Sequence, residues 1–266
     1  MLFNGDKVYM LPSVTPLQCM GFIVEGQGDV IVIDSGTEKE TDQLENTLLS
    51  LGGKVTCWFL THGHFDHIEG CIGVLERGKV KVERICYKFP PVDYVERVER
   101  NENRKERVRD FERTVAAAGI DVIRPVPGQW ITAGHFRVLP LSDGSAVGES
   151  LNPSSVVYRV ETKGDSILFL GDMDWRAQDK ILENFPKEII CPVVQMAHHG
   201  QQGVTEEFYR QVAPKVCLWP TPEWLWNNDI GGGYGTGPFK TLETRAWMEK
   251  MNTVNYRFEN KITVIE

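Results

Sequence analysis

Leu60-Thr61-His62-Gly63-His64-Phe65-Asp66-His67 is the stretch on which the reading of this sequence turns. It follows an apolar run expected to form a strand over 55–60 and precedes a short helix expected over 67–77. Imidazoles at i and i+2 of an extended backbone leave on the same side, so His62 and His64 can converge on one metal ion, with Gly63 permitting the bend. Asp66 and His67, at the turn into the helix, point to a second position nearby. A carboxylate beside imidazoles suits zinc, iron or manganese alike. Three of the six histidines in the chain fall between positions 62 and 67. That concentration, beside an acid and after an apolar strand, argues for metal binding over a solvated polar loop.

Outward from this loop the chain alternates short apolar runs with turn residues. Strands are expected over 7–11, 19–24 and 30–33, then an amphipathic helix over 38–51 stopped by Gly52-Gly53. The highly charged segment 92–118 reads as a long surface helix, continuous or interrupted, whose charges face solvent. Strands return over 121–124, 136–141, 155–161 and 166–170, the last two joined by the turn Thr162-Lys163-Gly164-Asp165. Helices over 175–184, 204–212 and 239–251 then alternate with strands over 193–197, 216–219, 253–256 and 261–265. Two β-rich halves, each decorated by helices, predict an α/β protein, a four-layer αββα sandwich forming one domain over 1–266.

The net charge of -8 disfavours a broad surface for nucleic acid or anionic membrane, since both would repel an acidic protein. The start has neither a basic nor an apolar leader region, and no run is long enough to span a bilayer, so a cytoplasmic address is expected. Cys19, Cys57, Cys71, Cys86, Cys191 and Cys217 have no CxxC spacing and lie mostly in apolar runs, so they read as reduced core residues. Trp219, Trp224, Trp226 and Tyr234 crowd one stretch with glycines and prolines, as loop anchors or as the wall of a pocket.

Thr61-His62-Gly63-His64-Phe65-Asp66-His67 resembles the HxHxDH signature of the metallo-β-lactamase superfamily, and further landmarks follow in that family's order. Ile33-Asp34-Ser35-Gly36 resembles its first motif, which implies that Asp34 supports the metal loop from behind the ligands. Leu168-Phe169-Leu170-Gly171-Asp172 resembles the strand-end motif whose aspartate bridges two metals, with Asp174 as a rival that could instead cap the next helix. Met196-Ala197-His198-His199-Gly200 resembles the histidine motif that completes the second site. Adjacent imidazoles point to opposite sides of a persisting strand, so only one is an easy ligand. His198 is preferred because Ala197-His198 mirrors Thr61-His62 at a strand end, which leaves His199 to handle protons.

The family's usual third histidine for the first metal has no counterpart, because the one histidine in that interval, His135, sits in an unlike setting and reads as structural. This gap and Asn152-Pro153-Ser154-Ser155 resemble the branch that includes the hydrolase domain of ComEC DNA-uptake proteins and the phosphorylcholine esterases. That likeness makes Asn152 and Ser154 candidate substrate-binding residues, against the equal alternative of an ordinary Asn-Pro turn.

The resemblance implies two divalent metal ions, zinc first and manganese or iron as alternatives. His62, His64 and Asp172 would hold one, and Asp66, His67, Asp172 and His198 the other. The ions would share a hydroxide whose pKa falls from about 15.7 toward 7, with Asp66 or His199 as the catalytic proton carrier. The expected function is hydrolysis of a small phosphoester or phosphodiester, with no extended nucleic acid and no membrane as partner. The alternatives are C-N, C-O or C-S hydrolysis, or a non-hydrolytic metal-binding or redox module.

Overall fold

The computed structural model describes residues 2–145, 148–258 and 261–266. Its first half runs β1 (Lys7–Met10), β2 (Gly21–Gly26), β3 (Asp29–Asp34), α1 (Thr41–Ser50), β4 (Lys54–Val55), β5 (Cys57–Phe59), α2 (Phe65–Arg77), β6 (Lys81–Val82), β7 (Arg84–Cys86), α3 (Val92–Val98), α4 (Glu102–Ala118) and β8 (Asp121–Ile123). The second half continues with β9 (Ile131–Ala133), β10 (Phe136–Pro140), β11 (Tyr158–Glu161), β12 (Ser166–Phe169), α5 (Trp175–Asn184), β13 (Val193–Gln195), α6 (Glu206–Val212), β14 (Val216–Trp219), α7 (Glu223–Trp226), α8 (Thr241–Lys250), β15 (Val254–Arg257) and β16 (Thr263–Ile265).

Two seven-stranded sheets result, ordered β16-β1-β2-β3-β5-β7-β8 and β15-β14-β13-β12-β11-β10-β9. Their strands read as near-continuous apolar runs because both faces are covered. Phe22 and Val24 on β2, with Ile31 and Ile33 on β3, point into the layer between the sheets, where they meet Tyr158, Val160, Ile167 and Phe169. The alternate residues Ile23, Val30 and Val32 point outward onto Leu44, Leu48, Ile68, Cys71 and Phe111 of the helices. On the second sheet Leu168 and Val194 likewise face Ile181, Phe208, Val212 and Met248. The period-two alternation of each strand thus fills two apolar layers at once, which is the physical content of the αββα sandwich. All six cysteines are buried and unpaired, and burial pushes the thiols of Cys86 and Cys217 up to about 12. Among the described residues no helix is long and apolar enough to cross a membrane.

Parallel pairing places the functional loops together. β3 and β5 are parallel in the first sheet, and β12, β13 and β14 in the second, so their carboxyl ends open at one edge of the sandwich. The chain turns outside such strand ends are where ligands bind in open α/β sheets. The two sheets are tied there by Val156 N donating to Thr61 O (2.8 Å) and Tyr158 Oη donating to Leu60 O (3.1 Å).

Several boundaries differ from expectation. Helix α2 starts at Phe65 rather than 67, which puts Asp66 in its first turn, where the helix dipole favours a carboxylate. The charged segment is two helices, because Glu99 is extended and Asn101 caps α4 by accepting from Asn103 N. The strand after Pro192 stops at Gln195, two residues before the expected end. Strand β9 and the one-turn α7 were not expected; both are too short to carry a periodic signal.

Candidate metal centre

Asp34 ends β3 in a left-handed conformation (φ 55°), which costs an ordinary side chain about 1–2 kcal/mol and turns its carboxylate under the histidine loop. Both oxygens are used. Oδ1 accepts from Thr61 N (2.8 Å), and Oδ2 accepts from Thr61 Oγ1 (2.8 Å) and His67 Nδ1 (2.8 Å). Since a carboxylate only accepts, the His67 proton is fixed on Nδ1 and its Nε2 faces outward. His64 is fixed in the opposite sense: its Nε2 donates to Glu99 Oε1 (2.9 Å), so Nδ1 is the free atom, 2.9 Å from His62 Nε2.

Asp172 enters from the second sheet. Gln195 grips the turn before it, its Oε1 accepting from Leu170 N and Gly171 N (2.8 Å each) and its Nε2 donating to Gly171 O (3.1 Å). Gly171 has φ +56° and lies so close to Thr61 that a Cβ would stand 2.7 Å from that side chain, so only glycine lets the two loops meet. Asp172 N donates to Ser155 Oγ (3.1 Å). The Asp172 carboxylate then lies 3.3 Å from His67 Nε2, 3.6 Å from His199 Nε2, and 3.8 Å from both His62 Nε2 and His198 Nε2. Asp174, by contrast, caps α5 by accepting from Arg176 N (2.9 Å).

The histidine pair is ordered opposite to expectation. His199 is fully buried, donates from Nδ1 to Pro220 O (2.9 Å), and aims Nε2 at Asp66 Oδ2 (3.3 Å). His198 keeps 23% of its side chain exposed, meets Gln202 O through Nδ1 (3.1 Å), and turns Nε2 to Asn152 Nδ2 (3.0 Å). Two groups of ligand atoms converge, His62-His67-Asp172 and Asp66-His67-His199; His64 and His198 are in neither, and both line the cavity above. The preference for His198 rested on the likeness of Ala197-His198 to Thr61-His62 at a strand end, whereas both residues are left-handed (φ 50° and 54°), so neither continues the strand and alternation does not govern them.

Three buried atoms in this cluster have no hydrogen-bond partner: His67 Nε2, His199 Nε2 and Asp172 Oδ1. Buried polar atoms are rarely orphaned, and here imidazole nitrogens face carboxylate oxygens across more than 3.2 Å. Burial would lower the pKa of His67, but Asp172 and Asp34 outweigh it and push the ring well above the ordinary value. His199 is raised in the same way, against burial, by Asp172 and Asp66. Burial pushes the Asp172 carboxyl up, yet His67, His199 and His198 together hold it well below the usual range. The field at both Nε2 atoms therefore favours positive charge, which a divalent cation supplies.

Above the cluster opens a cavity of about 260 Å³, lined by His64, Asp66, Asn152, Asp172 and His198, and closed on one side by Trp224. Asn152 is brought to the site, but Ser154 is not: its hydroxyl donates to Leu151 O (2.6 Å) inside the turn, and the neighbouring Ser155 makes the contact to Asp172. His135 lies apart, between Asp6 and Asp29, the latter at the start of β3. Glu99, Gln195, Ser155, Gln18 and Arg104 all bear on the centre or its cavity and were missed. The charged segment 92–118 is thus more than a solvated face, since the α3–α4 turn delivers Glu99 to His64.

The sequence profile of the Metallo-beta-lactamase superfamily matches residues 14–215. The chain belongs to this superfamily. ComE operon protein 3 of Bacillus subtilis (strain 168) is 29% identical over 192 residues, which is 72% of this chain and 22% of that protein, so the chain spans about a fifth of that relative. The metallo-β-lactamase fold protein YhfI of Bacillus subtilis superposes with a TM-score of 0.59 at 12% identity, over 98% of this chain and 99% of that one. Unliganded yeast PDE1 gives 0.59 at 12% identity over 97% and 99%. CmlA, a diiron β-hydroxylase from Streptomyces venezuelae, gives 0.61 at 12% over 98% and 54%. These likenesses establish the fold of the superfamily member.

A carboxylate on the far nitrogen of a metal-binding imidazole orients the ring and raises its basicity, and loss of such a partner typically costs 10–100-fold in affinity. Glu99→Gln should therefore weaken retention of one metal ion by about tenfold or more, read by competition with a chromogenic chelator. Unchanged retention would reduce Glu99 to a helix-end contact.

Proposed function

We propose that this superfamily member is a dinuclear metal-dependent hydrolase acting on a small phosphoester or phosphodiester. One observation carries the reading: two groups of inward-facing donors that share His67 gather around Asp172, where His67 Nε2, His199 Nε2 and Asp172 Oδ1 are buried and unpartnered. Imidazole and carboxylate donors of this kind suit zinc first, with manganese or iron as alternatives. His62 Nε2 and Asp172, with His64 Nδ1 beside His62, would hold one ion, and Asp66, His67 Nε2, His199 Nε2 and Asp172 the other. Bound there, such ions supply Lewis acidity and lower the pKa of water toward neutrality.

The chain's own residues supply the remaining functions. Burial pushes the Asp66 carboxyl up, but His199 and His67 outweigh it, so Asp66 stays ionised and can orient the attacking water. Hydrolysis forms a bond from the water oxygen to phosphorus, breaks the bond to the leaving alcohol, and moves one proton to that alcohol. His198, which lines the cavity and whose pKa burial lowers, would carry the proton, taking it from the water as a neutral imidazole. Asn152 lines the same cavity as His64 and Asp172, and with no third histidine there the site would have room for a phosphate oxygen.

The test is a chelator-stripped protein reconstituted with zinc, manganese or iron and offered bis(p-nitrophenyl) phosphate, a cephalosporin and a thioester. Phosphodiester turnover that appears with metal and stops with chelator is expected. Turnover of the cephalosporin or thioester alone would move the assignment to C-N or C-S hydrolysis, and an iron-dependent visible spectrum without hydrolysis would move it to redox chemistry.

A further inference from the structure

We infer that Thr221 is the positioning residue that commits the paired-histidine turn to His199 as the ligand of the second metal ion; this rests on the metal-centre reading above. His198 and His199 are consecutive non-glycine residues in the left-handed region (φ 50°, ψ 50° and φ 54°, ψ 23°). Ordinary side chains disfavour that region, and two in succession persist only where the surroundings hold them. On His198 the carbonyl and Nδ1 are met within the same turn, by Gln201 N (3.0 Å) and Gln202 O (3.1 Å). His199 is held from outside, by the segment that leaves β14. Its Nδ1 donates to Pro220 O (2.9 Å), and its carbonyl oxygen accepts from Thr221 Oγ1 (2.7 Å). Two neighbouring residues thus grip the ring and the backbone of one histidine, which aims its Nε2 at Asp66 (3.3 Å) and Asp172 (3.6 Å).

Thr221 is suited to this by its own setting. Pro222 after it disfavours a helical backbone at 221, and a β-branched side chain has few χ1 choices, so the hydroxyl is directed before it bonds. Thr221 and His199 are both fully buried, which leaves no water to replace the hydroxyl. Among the described residues Thr221 Oγ1 is the one donor to His199 O.

The turn on either side of this bond is fixed. Before it, Ala197 N donates to Tyr209 Oη (3.0 Å) and His198 N to Gly171 O (3.0 Å). After it, Gly200 (φ +80°) is closed in, since a Cβ there would stand 2.4 Å from the Trp219 ring. The Thr221 hydroxyl orients the peptide that lies between these points. Valine has the same shape and no donor, so it would leave His199 O buried and unpaired, and the peptide would turn to relieve that cost. Such a rotation carries the imidazole with it and takes Nε2 out of line with Asp66 and Asp172.

The experiment measures zinc stoichiometry and the affinity of each site against a chromogenic chelator, with the cobalt(II) absorption spectrum as a report on ligand geometry and the melting of the metal-free protein as a control. Thr221→Val should weaken the second ion by about tenfold or more, keep the first, and change the cobalt spectrum. Thr221→Ser, which retains the hydroxyl, should recover most of the affinity. A Thr221→Val protein that melts earlier without metal, yet binds both ions as the parent does, would overturn the inference and make Thr221 a packing residue. Equal loss of both ions would also overturn it, since the effect would then not pass through His199. Should Thr221→Val fail to fold, Thr221→Ser and Thr221→Ala carry the test: serine should hold the second ion where alanine loses it, and equal affinities would overturn the inference. A parent protein that takes up neither zinc nor cobalt, manganese or iron would remove the metal-centre reading and this inference with it. A parent that takes up two ions, and loses neither with Thr221→Val, would leave that reading standing and remove only this inference.

Discussion

Asp172→Asn should lower phosphodiester turnover by about three orders of magnitude or more while leaving the protein folded. Among the described residues the Asp172 carboxylate is the one acid within 4 Å of the four imidazoles His62, His67, His198 and His199, so both groups of ligands would depend on it. An amide of the same shape keeps the hydrogen bond from the Asp172 backbone N–H to Ser155 and the grip of Gln195 on the preceding turn, so the loop has no reason to move. What it removes is a negative charge between positive ones. Charge stabilisation of several kcal/mol is lost from the transition state, and each 1.4 kcal/mol is tenfold in rate. Metal content should fall from two ions toward one. The stabilisation by added metal, about 2.7 kcal/mol when its concentration is a hundred times Kd, should shrink with it, which a thermal melt in the presence and absence of zinc reads directly. A variant that keeps two ions and full turnover would show that the two groups do not share Asp172.

The reach of the sequence can be judged residue by residue. The apolar runs 22–24 and 30–33 were legible as strands, because a strand buried on both faces must be apolar at every position; which positions face which layer the structure alone gives. The cluster at 62–67 was legible because its spacing alone makes the side chains converge. Asp34 and Asp172 were legible only through resemblance, since a lone aspartate after a strand is ordinary turn chemistry. Arg104 and Glu99 were hidden by their own surroundings: in a run of alternating charges each looks solvated, and only the fold of α3 and α4 over α2 brings them to the histidine loop. Ser154 and Ser155 are neighbours whose roles exchange because the one-turn helix 152–154 closes Ser154 onto its own backbone. No periodicity distinguishes the two.

The order of His198 and His199 has the sharpest consequence. At both positions the backbone is left-handed, so alanine would add strain of its own, and asparagine, which tolerates that region, is the cleaner replacement. His199→Asn should lose the second metal ion, because the Nε2 directed at Asp66 and Asp172 disappears, and turnover should fall with the loss of metal. His198→Asn should keep both ions, because its Nε2 is turned to Asn152 and the open cavity. If His198 carries the proton, turnover by this variant should still fall by about 10²–10⁴, and the limb of the pH profile that belongs to that group should vanish. Metal analysis separates the two variants before any kinetics are run. An ion lost from His198→Asn and retained by His199→Asn would restore the assignment that the likeness of Ala197-His198 to Thr61-His62 favours, and would mean that the 198–199 turn rearranges when metal binds.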